Sequence, residues 1–137
     1  MVERKGEEFL LASSSRDGLI RVWRMSGDEG VIKFHKNVFR LFDAFYIYLE
    51  SVLLSHECSV TSLAWTNFDN SLQLVSSSLD STLCVWEQIE GSWSVKTRLG
   101  QFLGNKNAYF DVKGHSGSQL LIALNYTGAV LVWERRE

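Results

Sequence analysis

Three side chains near the middle of the chain have the types that a nucleophilic site uses: His56, Ser76 and Asp80. In a Ser-His-Asp triad the imidazole takes the hydroxyl proton and the carboxylate orients the imidazole. That chemistry also needs an exposed nucleophile and donors for an oxyanion, and the sequence signals neither. Ser76 falls inside the run Leu72 to Ser77, which reads as a strand, so its hydroxyl is expected to be buried. The two cysteines, Cys58 and Cys84, are 26 positions apart, with no CxxC pair and no cluster of histidines to complete a zinc site. Leu83 and Val85 flank Cys84 in a strand-like alternation, so it reads as a buried reduced thiol. With no phosphate loop or metal set, the sequence points away from an enzyme, and no cofactor is expected.

The elements that must position these residues repeat. Phe9 to Arg24 (FLLASSSRDGLIRVWR), Leu72 to Glu87 (LQLVSSSLDSTLCVWE) and Leu120 to Glu134 (LLIALNYTGAVLVWE) each give an apolar strand, a polar turn and an alternating strand ending in Trp. In the first two, Asp17 and Asp80 each precede their Trp by six residues. Trp86 and Trp133 are 47 residues apart, close to the ~40–45 of a propeller blade. Trp23 and Trp86 are 63 apart, which leaves about 18 extra residues, an insertion at about 27–48. Around the middle repeat, strands are expected at Val60 to Trp65, Leu72 to Ser77, Thr82 to Gln88 and Trp93 to Leu99. After it they are expected at Tyr109 to Lys113, Gln119 to Asn125 and Ala129 to Glu134. No inner strand is expected before Phe9. Asn37 to Leu54 has helical spacing at Val38, Leu41, Phe45 and Leu49, but a loop leading into a strand at Glu50 to Ser55 is favoured, to close the first repeat.

Composition agrees with an all-β globular chain. Apolar residues make up 45% and charged residues 22%, which excludes a disordered polyelectrolyte. Five Trp supply large anchors, and with no Pro the turns fall to Gly, Asn, Asp and Ser. A net charge of −2 argues against a surface built to neutralise several phosphates, despite the local run Lys33, Lys36 and Arg40. The most hydrophobic stretch, Ala44 to Leu54, is interrupted by Glu50 and falls far short of the roughly 20 residues of a membrane span. Met1 to Glu8 has no apolar signal core, so an intracellular, reducing setting is expected: cytoplasmic, with the nucleus also open.

The Trp-terminated repeats resemble WD40 repeats, which implies an all-β partial β-propeller of about 2.5 four-stranded antiparallel blades. The expected units are a partial blade at 1–55 carrying the insertion, a complete blade at 56–100, and a partial blade at 101–137 lacking its outer strand. The family's His, Ser or Thr, Asp, Trp tetrad maps onto His56, Ser76, Asp80 and Trp86, with Ser55 in place of the usual Gly before the His. Trp donates one indole N–H, Ser donates and accepts, and His passes the chain to a carboxylate, so the set can rigidify a blade. The first blade keeps Ser13, Asp17 and Trp23, and its histidine would lie upstream of Met1. In the third, Ala123 and Thr127 stand at the Ser and Asp positions and Trp133 remains. Gly114-His115 looks like the family dipeptide, but it lies 12 residues before Thr127, against 24 from His56 to Asp80. His115 is therefore assigned to an exposed hairpin turn.

Longer stretches resemble one WD40 family in particular, the second subunit of Elongator. They are LLASSSRDGLIRVWRM, LESVLLSHECSVTSLAW, VSSSLDSTLCVWE, the run from Trp93 through Gly100 to Phe110, and GAVLVWE. The Asn105 to Asp111 and Lys33 to Tyr48 stretches depart from that pattern. The resemblance implies a non-catalytic scaffold that binds other Elongator subunits in the complex that modifies wobble uridines in tRNA. It further implies indirect contact with tRNA, no membrane, and no small-molecule substrate. The alternatives are a WD40 adaptor of an unrelated complex, and an RNA-binding surface formed by Arg16, Arg21, Arg24 and the Lys33 to Arg40 run. Candidate partner contacts are Arg16 and Leu79, each one residue before the tetrad Asp, and Phe39, Phe42 and Tyr46 in the insertion. Blades bury their faces only against neighbours, so the isolated chain is expected to be marginally stable or prone to associate, with Phe42 to Leu49 the worst segment.

Overall fold

The computed structural model describes residues 2–5, 8–26, 38–40, 46–100 and 108–135. These residues form three antiparallel sheets. The first contains β1 (Val2–Lys5), β2 (Glu8–Ser14), β3 (Leu19–Ser26), β4 (Val38–Arg40) and β5 (Tyr46–Leu54), in the order β1-β2-β3-β5-β4. The second contains β6 (Val60–Phe68), β7 (Ser71–Ser78), β8 (Leu83–Ile89) and β9 (Ser92–Leu99), paired in sequence. The third contains β10 (Tyr109–His115), β11 (Leu120–Asn125) and β12 (Val130–Glu134), with a single 3-10 turn at Ser116–Ser118 between the first two. The partial propeller of antiparallel blades is the architecture found.

Local chemistry explains the middle sheet. Asp69 and Asn70, at φ of 52° and 57°, form the two-residue turn between β6 and β7, and Phe68 pairs with Ser71 across it. Glu90 and Gly91 do the same between β8 and β9 at φ of 50° and 83°. Turns with both central residues at positive φ match the twist of hairpin strands and fix register. β7 is buried from Gln73 through Ser78, on both faces, because it is sandwiched between neighbouring sheets. β9, outermost, is mostly exposed.

Two apolar layers hold the sheets together. Leu10, Ala12, Ile20, Val22 and Leu53 of the first sheet meet Leu63, Trp65, Leu74 and Trp86 of the second. Phe68, Val75, Leu83 and Val85 of the second meet Tyr109, Val112, Leu121 and Ala123 of the third. Polar links cross the second junction: Thr61 Oγ1 donates to the Tyr109 carbonyl (2.8 Å) and Ser62 Oγ to Asp111 Oδ1 (2.7 Å).

Two expectations about the first sheet need correction. A strand does precede Phe9: β1 pairs with β2, Val2 opposite Leu11 and Lys5 opposite Glu8. Its sequence, VERK, has one apolar residue and so no alternation to read; backbone pairing makes it a strand. The strand expected at Glu50 to Ser55 starts earlier, at Tyr46. β3 runs on to Ser26, and its backbone pairs with Tyr46, Ile47 and Tyr48. β4, inside the expected insertion, adds a fifth strand against β5.

Candidate functional site

His56, Ser76, Asp80 and Trp86 come from four places in the middle unit and converge in its interior. Trp86, on β8, donates its indole N–H to Ser76 Oγ on β7 at 2.9 Å. His56, in the connection entering the sheet, places Nε2 2.8 Å from the same oxygen and Nδ1 2.9 Å from Asp80 Oδ2. Asp80 Oδ2 also accepts the Glu57 N–H at 3.0 Å. Ser76 is fully buried and the His56 side chain has no exposure.

Burial alone would push the His56 imidazole down. The Asp80 carboxylate bonded to Nδ1, with Cys84 alongside, outweighs it and raises the group to about 9. Burial likewise opposes the Asp80 carboxylate, but its bonds to His56, Thr82 and the Glu57 amide hold it well below the usual range. Below pH 9 the imidazolium therefore donates from both nitrogens. Ser76 Oγ accepts from His56 and Trp86 and turns its own proton toward the Cys84 carbonyl, 3.5 Å away. A nucleophilic serine needs a basic imidazole to take that proton and a route to substrate. Here Ser76 is fully buried, and its oxygen lies within hydrogen-bond distance of both His56 and Trp86.

One participant was missed from sequence. Thr82 is buried, and its Oγ1 lies 2.6 Å from Asp80 Oδ1 and 3.2 Å from His56 Nδ1. Its amide also donates to Asp80 Oδ1 at 2.9 Å. The signal was the Asp-x-Thr spacing, which lets an acidic side chain cap a turn two residues on.

The outer sheets use other solutions. In the first, Trp23 donates to Ser13 Oγ at 3.0 Å, while Asp17 accepts the Leu19 amide and pairs with Arg21, each at 2.9 Å. Arg21 is the main reason the Asp17 carboxyl is lowered. In the third, Ala123 is buried and Trp133 meets Tyr109 edge-on, centroids 6.1 Å apart. Thr127 Oγ1 donates to Asn125 Oδ1 at 2.7 Å. His115 is exposed, with Nδ1 2.7 Å from Ser118 Oγ at the 3-10 turn, as its assignment to a turn expects. Among the described residues no group of three or more His, Cys, Asp or Glu side chains could hold a metal ion.

The candidate contact residues divide. Arg16 and Leu79 are exposed on equivalent turns, and Ser59 ties both down: its hydroxyl donates to the Arg16 carbonyl and its carbonyl accepts the Leu79 amide. Tyr126, the equivalent residue in the third sheet and unremarked from sequence, is 64% exposed and packs on Phe110, centroids 5.4 Å apart. Phe39 lies on β4 and Tyr46 opens β5, with backbones described but not side chains. Phe42 lies outside the described residues, as does most of the basic run Lys33 to Arg40. Arg24 pairs with Glu50 at 2.6 Å, with both side chains largely buried.

Residues 6–24 and 48–87 match the family model described as WD domain, G-beta repeat. Elongator complex protein 2 of Danio rerio is 31% identical over 94% of the chain, and that of Homo sapiens 30% identical over 95%. The chain spans only 18% of the length of either relative. It is also similar to ribosome biogenesis protein YTM1 of Podospora anserina, 24% identical over 94% of the chain and 23% of that relative.

Proposed function

We propose that the chain, whose residues 6–24 and 48–87 match the WD40 repeat model, is a non-catalytic scaffold segment of an Elongator-type assembly, binding other subunits in support of tRNA wobble-uridine modification. The observation that carries this reading is the breadth of the similarity to Elongator complex protein 2, which takes in 94–95% of the chain, insertion included. The network of His56, Ser76, Asp80 and Trp86 serves as the structural tetrad of a blade, and Ser13, Asp17 and Trp23 as a partial one. Partner contact falls to the exposed turn residues Arg16 and Leu79 and to Phe39, Phe42 and Tyr46. The protein works in the cytoplasm, and the nucleus is a second compartment to examine. Contact with tRNA is indirect: Arg21 and Arg24 already hold the carboxylates of Asp17 and Glu50, which leaves less charge for phosphates.

Co-purification tests the reading. Replacing Phe39, Phe42 and Tyr46 together with Ser should weaken recovery of Elongator subunits while the tagged chain keeps its melting transition. Unchanged recovery would remove those residues from the interface. The similarity to YTM1 supports a second reading, an adaptor of an unrelated complex. Capture of an intact assembly without any Elongator subunit would favour it.

A further inference from the structure

The outer strands of the first two sheets are built alike. β5 carries one extra residue, Glu50, between the partners of Val22 and Trp23, and β9 carries one, Lys96, between the partners of Val85 and Trp86. Such a bulge bends its strand and interrupts the ladder at a fixed place. Aligned on it, Tyr46, Ile47 and Tyr48 of β5 correspond to Ser92, Trp93 and Ser94 of β9. In the first sheet that stretch is covered: β4 pairs with it, Val38 opposite Tyr48, Phe39 opposite Ile47 and Arg40 opposite Tyr46. In the second sheet β9 is the last strand, and among the described residues no strand lies beyond it. Edge strands are normally blunted by charge, Pro or a bulge, because their unpaired N–H and C=O groups accept another strand. In β9 the charge and the bulge fall together at Lys96, and the run Ser92-Trp93-Ser94-Val95 before it has neither. Ser92 and Ser94 are exposed, Val95 is 38% exposed and Trp93 is partly covered. The sheets pack face to face, so this edge is not a surface that a further sheet would cover.

We propose that β9, over Ser92–Val95, accepts an extended segment of a partner protein as an antiparallel fifth strand. The register of β4 on β5 defines what such a segment carries. Its residue opposite Trp93 is apolar, as Phe39 is, and extends the apolar face that Trp93 and Val95 begin. Its residue opposite Ser92 is basic, as Arg40 is, and comes beside the turn that carries the exposed Glu90. Backbone bonds along the edge supply affinity in this mode of recognition, and the alternate side chains supply specificity. The edge is separate from the turn and insertion contacts proposed above, so either can fail alone.

Amide hydrogen exchange of the chain, with and without a synthetic peptide of residues 34–43 (FHKNVFRLFD), tests this. The peptide carries the β4 segment and should slow exchange across Ser92–Val95 in a saturable way. Val95→Lys puts a further charge on the edge and should lose that protection while the chain keeps its melting transition. Glu90→Lys should weaken binding about threefold, the worth of an exposed ion pair, and an Arg40→Glu peptide should restore it. That reciprocal swap reports the contact even where one variant is less stable. Protection that never reaches Ser92–Val95 overturns the proposal, as does a Glu90→Lys chain that binds both peptides alike. So does protection of the same amides that rises with the concentration of the chain alone, because β9 of a second copy would then hold the edge.

Discussion

Nδ1 of His56 lies 2.9 Å from Oδ2 of Asp80, in a pair whose side chains are 0% and 6% exposed. One interaction raises the imidazole and lowers the carboxyl, so its contribution to stability is counted once. The His56 share is full below the unfolded value of 6.5 and is lost as pH rises through about 9. The Asp80 share is present above its unfolded value of 3.8 and is lost as pH falls through its lower folded value. Stability from this pair should therefore be greatest between roughly pH 4 and 6.5. Denaturant titrations of wild type and His56→Gln should differ by on the order of 3 kcal/mol at pH 6, with the gap closing toward pH 9. A gap that stays constant from pH 6 to 9 would show that the imidazole is not charged in the fold.

The two Trp–Ser bonds are nearly equal in length, 2.9 Å for Trp86 to Ser76 and 3.0 Å for Trp23 to Ser13, but not in setting. Ser76 also bears His56 and is fully buried, whereas Ser13 is only partly covered. Removing a donor from a closed network leaves its acceptors short, at about 1–3 kcal/mol, while water can replace it at a partly exposed site. Trp86→Phe should therefore cost more than Trp23→Phe. Melting midpoints of the two variants decide it, and equal losses would mean that the Trp86 network adds nothing beyond packing.

How much of this was legible depended on where side chains carry the signal. The runs around Trp86 located β6 to β9 within a few residues, because burial forces apolar types onto much of β6, β7 and β8 and the Asp69-Asn70 and Glu90-Gly91 pairs mark the turns. His56, Ser76, Asp80 and Trp86 were found through the resemblance to WD40 repeats, whose tetrad positions they match. β1 was invisible because pairing with β2 needs backbone groups alone, and β4 because three residues cannot show a period. Thr82 was passed over because its importance arises only once Asp80 has turned inward. Arg98 was equally silent: it bonds the Ser55 carbonyl, at 2.7 Å, and the Ser55 hydroxyl across 43 residues, a partnership no local pattern encodes.

Asn125 does in the third sheet what two side chains do in the others. In the middle turn Ser78 Oγ accepts the Asp80 amide and Asp80 Oδ1 accepts the Thr82 amide. In the third, Asn125 Oδ1 alone accepts the amides of Thr127 (3.1 Å) and Ala129 (2.9 Å) and the Thr127 hydroxyl (2.7 Å). Asn125→Ala would leave three donors to find water and should cost about 1–2 kcal/mol, whereas Asn125→Asp keeps the accepting oxygen and should cost little. Hydrogen exchange of the Thr127 and Ala129 amides gives the local readout. Equal protection in Asn125→Ala would show that the turn is held by its backbone.

Gly114 explains why a Gly-His pair sits away from the tetrad position. A Cβ built at Gly114 would come within 2.7 Å of Thr66 Cβ and 2.8 Å of its Oγ1, where β10 packs against β6. The branched carbon of Thr66 cannot swing aside, so Gly114→Ala must push the third sheet off the second. Overpacking of this kind costs about 1–3 kcal/mol, and the strain should also loosen the Thr61 and Ser62 bonds that cross the same junction. Gly117→Ala is the matched control, since its new Cβ would meet only the edge of the exposed His115 ring at 3.3 Å. Thermal melts should rank Gly114→Ala well below Gly117→Ala and wild type. If the two alanine variants melt together, the sheets have enough slack at Thr66 to absorb a methyl group, and the close approach is not what requires glycine.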